Sequence, residues 1–252
     1  MSGITEISLL SQAVIGSITG IVTGLTGASG MAFLVSSLLI LNISAKQIIA
    51  STFLITGINS LFAFIPYWQK QKVSKTEFVS LILPALLGGV IGFSFSGNFH
   101  NDFLRQCLIG IMFVAGLNFI FRGKKTGGSK FAVSKKFSYI VSLISGVFIG
   151  CFGGGGTVFM SLLLIALFGF EFKKALTLSF AVAVFTCLPL AFLSYCKGNL
   201  IIEPVLVIIL ASLPCAYAIG LVAQKIPDRI SKKLLGAYLL ATSSYMIAAK
   251  FL

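Results

Sequence analysis

Residues 17–33 read SITGIVTGLTGASGMAF, and residues 143–159 read LISGVFIGCFGGGGTVF. Set one beneath the other, Gly20, Gly24, Gly27 and Gly30 fall on Gly146, Gly150, Gly153 and Gly156, each 126 positions further on. The correspondence continues outward. After a one-residue insertion Lys46 meets Lys173, Thr52 meets Ser179, Phe53 meets Phe180 and Asn59 meets Thr186. Later Leu83-Pro84 finds Leu213-Pro214, Asp102 meets Asp228 and Gly110 meets Gly236. The chain is an internal duplication of one apolar, glycine-interrupted pattern.

The solvent of that pattern is lipid. Of 252 residues 57% are apolar and 10% charged, against about 25% charged in soluble domains. The charges cluster, leaving long stretches without Asp, Glu, Lys or Arg: 7–45, 47–69, 78–101, 106–121, 137–170, 175–196, 204–224 and 234–249. A bilayer-spanning helix needs about 20 apolar residues, so most of these are long enough to cross. A polytopic membrane protein follows. A soluble enzyme, a nucleic-acid module and a disulfide scaffold are excluded together. Glu6, with no Lys or Arg before the first apolar run, has the wrong sign for a cleavable signal, and the N-terminus is expected to begin mature helix. Cys107, Cys151, Cys187, Cys196 and Cys215 show no CxxC or ligand spacing and are expected to be buried packing residues.

Charge position sets the threading. Arg122, Lys124, Lys125, Lys130, Lys135 and Lys136 lie among Gly and Ser with no acid, which marks 122–136 as a basic cytoplasmic linker. It separates a first transmembrane repeat, 1–121, from a second, 137–252. Lys70, Lys72 and Lys75 against Glu77 make another positive loop on the same side, and the turn at His100, Asp102 and Arg105 faces outward. In the second repeat the positive turn is Lys225, Arg229, Lys232 and Lys233, which corresponds to that outward turn of the first. Equivalent loops on opposite faces mean inverted-topology repeats, related by an axis in the membrane plane.

Inversion requires an odd number of crossings per half. Residues 31–43 and 157–169 are 13 each, about 20 Å of helix, too short to span alone. Each glycine-broken stretch is therefore expected to enter, turn and return as a helical hairpin, followed by three full crossings. The expected fold is all-α and polytopic, with ten helical segments and both termini outside.

Backbone that leaves the helix at membrane depth must be buried in protein or line a cavity. The Gly20-xxx-Gly24 and Gly146-xxx-Gly150 spacings supply close helix packing. The runs GLTGASG and GCFGGGGT place flexible backbone just before a short helix, where unpaired amides and the helix dipole favour an anion. Candidate substrate-binding residues are Gly27, Ala28, Ser29 and Gly30 in the first run, and Gly153, Gly154, Gly155, Gly156 and Thr157 in the second. The duplicated polar pairs Thr52 with Ser179 and Asn59 with Thr186 join them, two helical turns apart on one face. Tyr67, Trp68, Tyr139, Tyr195 and Tyr245 read as interfacial anchors. No ionisable residue lies well inside an apolar segment, so a carboxylate proton relay and a divalent-cation site lack their ligands. No catalytic residues, metal or cofactor are expected.

The glycine segments GIVTGLTGASG and GVFIGCFGGGGT are each followed by a short apolar run and a Lys-containing turn, then KQIIASTF or KKALTLSF. In this arrangement the chain resembles the sulfite exporter TauE/SafE family over nearly its whole length. The resemblance implies a plasma (inner) membrane permease for sulfite, a sulfonate or a related sulfur-containing anion, working from a midplane site between the repeats. Its partners would be the small anion and the bilayer, with no nucleic acid, and a homo-oligomer is compatible with the sequence. The alternative is a membrane-embedded accessory or assembly subunit without transport activity.

Overall fold

The computed structural model describes residues 9–27, 45–71, 73–96, 101–121 and 135–251. These form helices α1 (Leu9–Thr26), α2 (Ala45–Lys70), α3 (Lys75–Ser96), α4 (Asn101–Phe121), α5 (Lys135–Phe152), α6 (Gly156–Ala166), α7 (Phe172–Cys196), α8 (Ile202–Ala223) and α9 (Asp228–Phe251), with a 3-10 turn at Gly153–Gly155 between α5 and α6. No strand occurs among the described residues. Among the described residues, six apolar stretches are long enough to cross a membrane, and Met112–Phe121 adds a shorter one. Leu83, Leu87, Phe192 and Leu210 point outward from their helices at 57 to 69% exposure, which only a hydrocarbon surrounding makes favourable. The chain is an integral multi-pass membrane protein.

The helix boundaries repeat the duplication. Leu9 and Lys135 begin α1 and α5, 126 positions apart, and Thr26 and Phe152 end them at the same offset. Ala45 and Phe172, Lys75 and Ile202, and Asn101 and Asp228 begin the other pairs, each 127 apart. Residues 122–134 of the expected linker lie outside the described residues, whereas Lys135 and Lys136 open α5.

Small residues decide which helices meet. A Cβ on Gly20 would stand 2.2 Å from the Ser212 carbonyl oxygen, one on Gly16 2.4 Å from that of Ile208, and one on Gly24 2.6 Å from that of Ala216. That register, rising on both helices, makes α1 and α8 parallel and in backbone contact. The second copy does the same with the roles exchanged. Gly146 lies against Ala85, Gly150 against Gly89, Gly88 against Leu143 and Gly92 against Val147, so α5 packs in parallel on α3. Each half therefore lends its first helix to the other half. This close approach, rather than a hydrophobic driving force, is what holds helices together in lipid.

With α2 added to the first pair and α7 to the second, the bundle holds two three-helix clusters, α1/α2/α8 and α3/α5/α7. They meet along α2 and α7, where Gly57 abuts Leu188 and the Tyr67 ring stands edge-on to Phe180 at 5.3 Å. Residue numbers rise on one helix as they fall on the other, so α2 and α7 are antiparallel. So are α4 and α9, with Gly116 beside Leu240 and Gly236 beside Ile120. At one end of the bundle Glu77, Lys173, Lys174, Gln224 and Asp228 come together. At the other, the Lys197 ammonium lies over the Phe93 ring. The connections at 71–74 and 224–227 hence share an end that 197–201 does not.

Residues 136–166 form one apolar stretch of 31 residues, yet they double back. Phe148 packs on Phe159 at 4.3 Å next to the glycine turn, and Phe137 packs on Phe168 at 5.7 Å at the far end. This is the expected helical hairpin. Its counterpart at residues 28–44 lies outside the described residues.

Two expectations are corrected. Tyr67 is not an interfacial anchor: it is 1% exposed between the clusters. Trp68, Tyr139, Tyr195 and Tyr245 are exposed, as anchors would be. Of the cysteines, Cys151 and Cys187 are buried, but Cys196 is exposed at the end of α7 and Cys215 is half-buried on α8. The side chain of Cys107 lies outside the described residues.

Candidate functional site

The helices that lead into the two glycine runs end alike. Gly27 at the end of α1 has φ +69° and Gly153 at the end of α5 has φ +66°, a left-handed conformation that residues with a Cβ adopt at a cost of roughly 1–2 kcal/mol. The two are equivalent by the duplication, so each copy halts its helix at the same residue. The Gly27 amide donates to the Thr23 carbonyl at 2.9 Å, closing the last turn of α1. After Gly153 the chain tightens into the 3-10 turn and passes directly into α6.

The two breaks touch. The Thr157 hydroxyl, in the first turn of α6, donates to the Gly154 carbonyl at 2.8 Å and reaches the Gly27 carbonyl at 3.3 Å. Gly153, Gly154, Gly155, Gly156 and Thr157 are all buried. Leu176 and Phe180 of α7 close over Gly27, leaving no space for a side chain there. Tyr67 ties down the adjacent carbonyl, its hydroxyl donating to Gly24 at 3.2 Å. The C-terminal end of α1 thus has two of its free carbonyls covered by hydroxyls from other elements, which answers the unmet acceptors a helix end carries. Ala28, Ser29 and Gly30 lie outside the described residues.

The amide inventory differs from expectation at Gly156. Gly156 does not offer a free N–H, because it donates within the turn to the carbonyls of Gly153 and Gly154. The reason is geometric: a 3-10 turn bonds at shorter sequence separation and uses up a donor that an abrupt helix start would leave open. Neither the turn nor α6 has a side-chain hydrogen bond capping its N-terminus, and no acid stands in the first turn of either.

The polar pairs on α2 and α7 divide. Thr52 donates to the Ile49 carbonyl of its own helix at 2.7 Å, the ordinary fate of a helical threonine. Ser179 and Thr186 do not: both hydroxyls are fully buried without a hydrogen-bond partner. Asn59 Oδ1 accepts from the Ser212 hydroxyl at 2.7 Å, while its Nδ2 is buried and unpartnered. Asn59 therefore addresses α8, whereas Thr186 sits with its methyl against Gly89 on α3. Each of this pair belongs to a different cluster. Three buried polar atoms without partners are costly in a membrane interior, and a polar guest would relieve that cost.

Ser212 and Tyr67 were missed by sequence. Ser212 has no polar equivalent in the first repeat: Gly20 meets Ser212 as Gly146 meets Ala85, a register three residues from the one that matches Leu83-Pro84 with Leu213-Pro214. Tyr67 sits beside Trp68 near a segment end and carries the composition of an anchor. The buried state of Tyr67 depends on its partner Gly24, 43 positions away, and on Phe180 in the other half.

A lipid-immersed helical bundle whose helices end at paired internal glycines, and that brings those ends together, is built as many secondary transporters with discontinuous helices are. The sequence model of the sulfite exporter TauE/SafE family matches residues 12–246, and the chain belongs to that family. No curated protein matches the sequence.

Proposed function

We propose that this protein is a secondary transporter that moves a small sulfur-containing anion, sulfite or a sulfonate, across the plasma membrane through a site where the two glycine breaks meet. The observation that carries this reading is the Thr157 to Gly27 contact, which joins the first turn of α6 to the break of the other half deep inside the bundle. The N-terminus of α6, which carries no side-chain cap and no acid in its first turn, supplies a positive dipole end without a fixed charge. The buried donors of Asn59, Ser179 and Thr186 are neutral as well. Such groups suit an oxyanion that must bind and then leave.

The halves are inverted repeats in this reading. The antiparallel courses of the equivalent helices α2 and α7, and of α4 and α9, support it. With the basic linker in the cytoplasm, the end holding Glu77, Lys173 and Asp228 is the cytoplasmic end. The clusters α1/α2/α8 and α3/α5/α7 are the bodies that rock about the site, exposing it to one face and then the other.

The test is anion flux in proteoliposomes carrying Gly154→Leu or Gly155→Leu protein whose insertion has been verified. Flux is expected to be lost, and wild-type flux would remove the turns from the pathway. A thermal-shift screen with sulfite, sulfate, thiosulfate, sulfonates and carboxylates identifies the guest, because only a ligand of the folded state raises its apparent stability.

A further inference from the structure

Lys173 and Lys174 occupy the first turn of α7, where the helix dipole disfavours a cation. Both are held by other elements. Lys174 donates to Glu77 Oε1 at 2.9 Å and lies 4.7 Å from the centre of the Phe170 ring. Glu77 opens α3, so this pair stays within the α3/α5/α7 cluster. Lys173 reaches the other way, donating to the Gln224 carbonyl at 2.9 Å and standing 3.6 Å from Asp228 Oδ1. Gln224 ends α8, which belongs to the α1/α2/α8 cluster, and Asp228 begins α9. The ammonium is repelled by its own helix start and attracted by the carbonyl end of a neighbour from the opposite cluster.

Next to Lys173 in sequence, Phe172 opens an apolar plug, a buried core that also takes in Leu176, Tyr67, Ala223 and, at the end of α5, Cys151. The plug has residues of both clusters, and its Leu176 lies against Gly27 at the first glycine break. The first copy has no lysine at the bracing position, because Gln47 stands where Lys174 would be matched.

From this arrangement we infer that Lys173 is a latch that holds the two clusters closed over the plug at this end of the bundle, while Lys174 with Glu77 keeps the start of α7 in place. Release of Lys173 lets the clusters separate and opens the path to the glycine breaks from that face. The inference rests on the rocking motion proposed above, but its test does not need a substrate.

The test uses protein that retains Cys151 as its sole cysteine, in membrane vesicles of both orientations, with a membrane-impermeant maleimide. Cys151 is 6% exposed in the closed arrangement. Lys173→Ala raises its labelling rate at least threefold from one face only, Asp228→Asn raises it in the same direction, and Lys173→Arg keeps the parent rate. Lys174→Ala, which acts inside one cluster, gives a smaller rise than Lys173→Ala. A rise below threefold for Lys173→Ala overturns the latch. An equal rise with Lys174→Ala also overturns it, since that result means general loosening. Failure of the anion reading, seen as unaltered flux in the Gly154→Leu protein, leaves the labelling outcome unaffected.

Discussion

Gly146 shows how one residue sets a contact in this membrane protein. An added Cβ would lie 2.1 Å from the Ala85 carbonyl oxygen, which is backbone and has nowhere to go. Gly110, by contrast, faces open space. Gly146→Leu is therefore expected to separate α5 from α3 and lower stability by about 1–3 kcal/mol, the usual range for overpacking. Gly110→Ala should leave stability unchanged or slightly improved, since alanine is the better helix former. Thermal unfolding in detergent compares the two, and equal losses would mean that the glycine face is not a packing surface. Gly146 was identifiable from its spacing to Gly150 alone. Tyr67 was not, because an aromatic residue near a segment end looks the same whether it meets lipid headgroups or a distant carbonyl.

Among the elements, the α5–α6 hairpin has the most consequence. Hydropathy treats 136–166 as a single span, and only the parity of crossings demanded that it fold back. Phe137 and Phe168 lie side by side when the hairpin is formed. A straight helix through both would part them by 31 positions, about 47 Å at 1.5 Å per residue. Cysteines replacing these two residues are expected to be joined by a short bifunctional thiol reagent in native membranes, and failure to cross-link would refute the hairpin. A second measurement bears on the turn itself. Gly153→Ala forces a Cβ into φ +66° and should cost roughly 1–2 kcal/mol of stability, whereas an unstrained turn would show no loss.

For the whole molecule, the distribution of charge and the direction of the helices agree. The connections at 71–74 and 224–227 share one end of the bundle, and Gly198 and Asn199 lie at the other. Single cysteines at Ser74 and Pro227 should react with an impermeant reagent from the same face of the membrane, and one at Asn199 from the opposite face. Labelling of Ser74→Cys and Asn199→Cys from a common face would rule out the inverted arrangement.

The amino-acid pattern alone determined that lipid is the solvent, that the chain is duplicated, where each copy breaks its helix, and which loops share a side. These properties follow from local composition: charge-free length, glycine spacing and the position of lysines. Only the tertiary structure decided that α1 packs on α8 and α5 on α3, that Thr157 reaches Gly27, and that Ser212 holds Asn59. In lipid every outward face is apolar, so periodicity carries little information about which helix a given face will meet. The choice is made by complementary backbone approach between glycines and carbonyls from different halves, a property that exists only once both surfaces have formed.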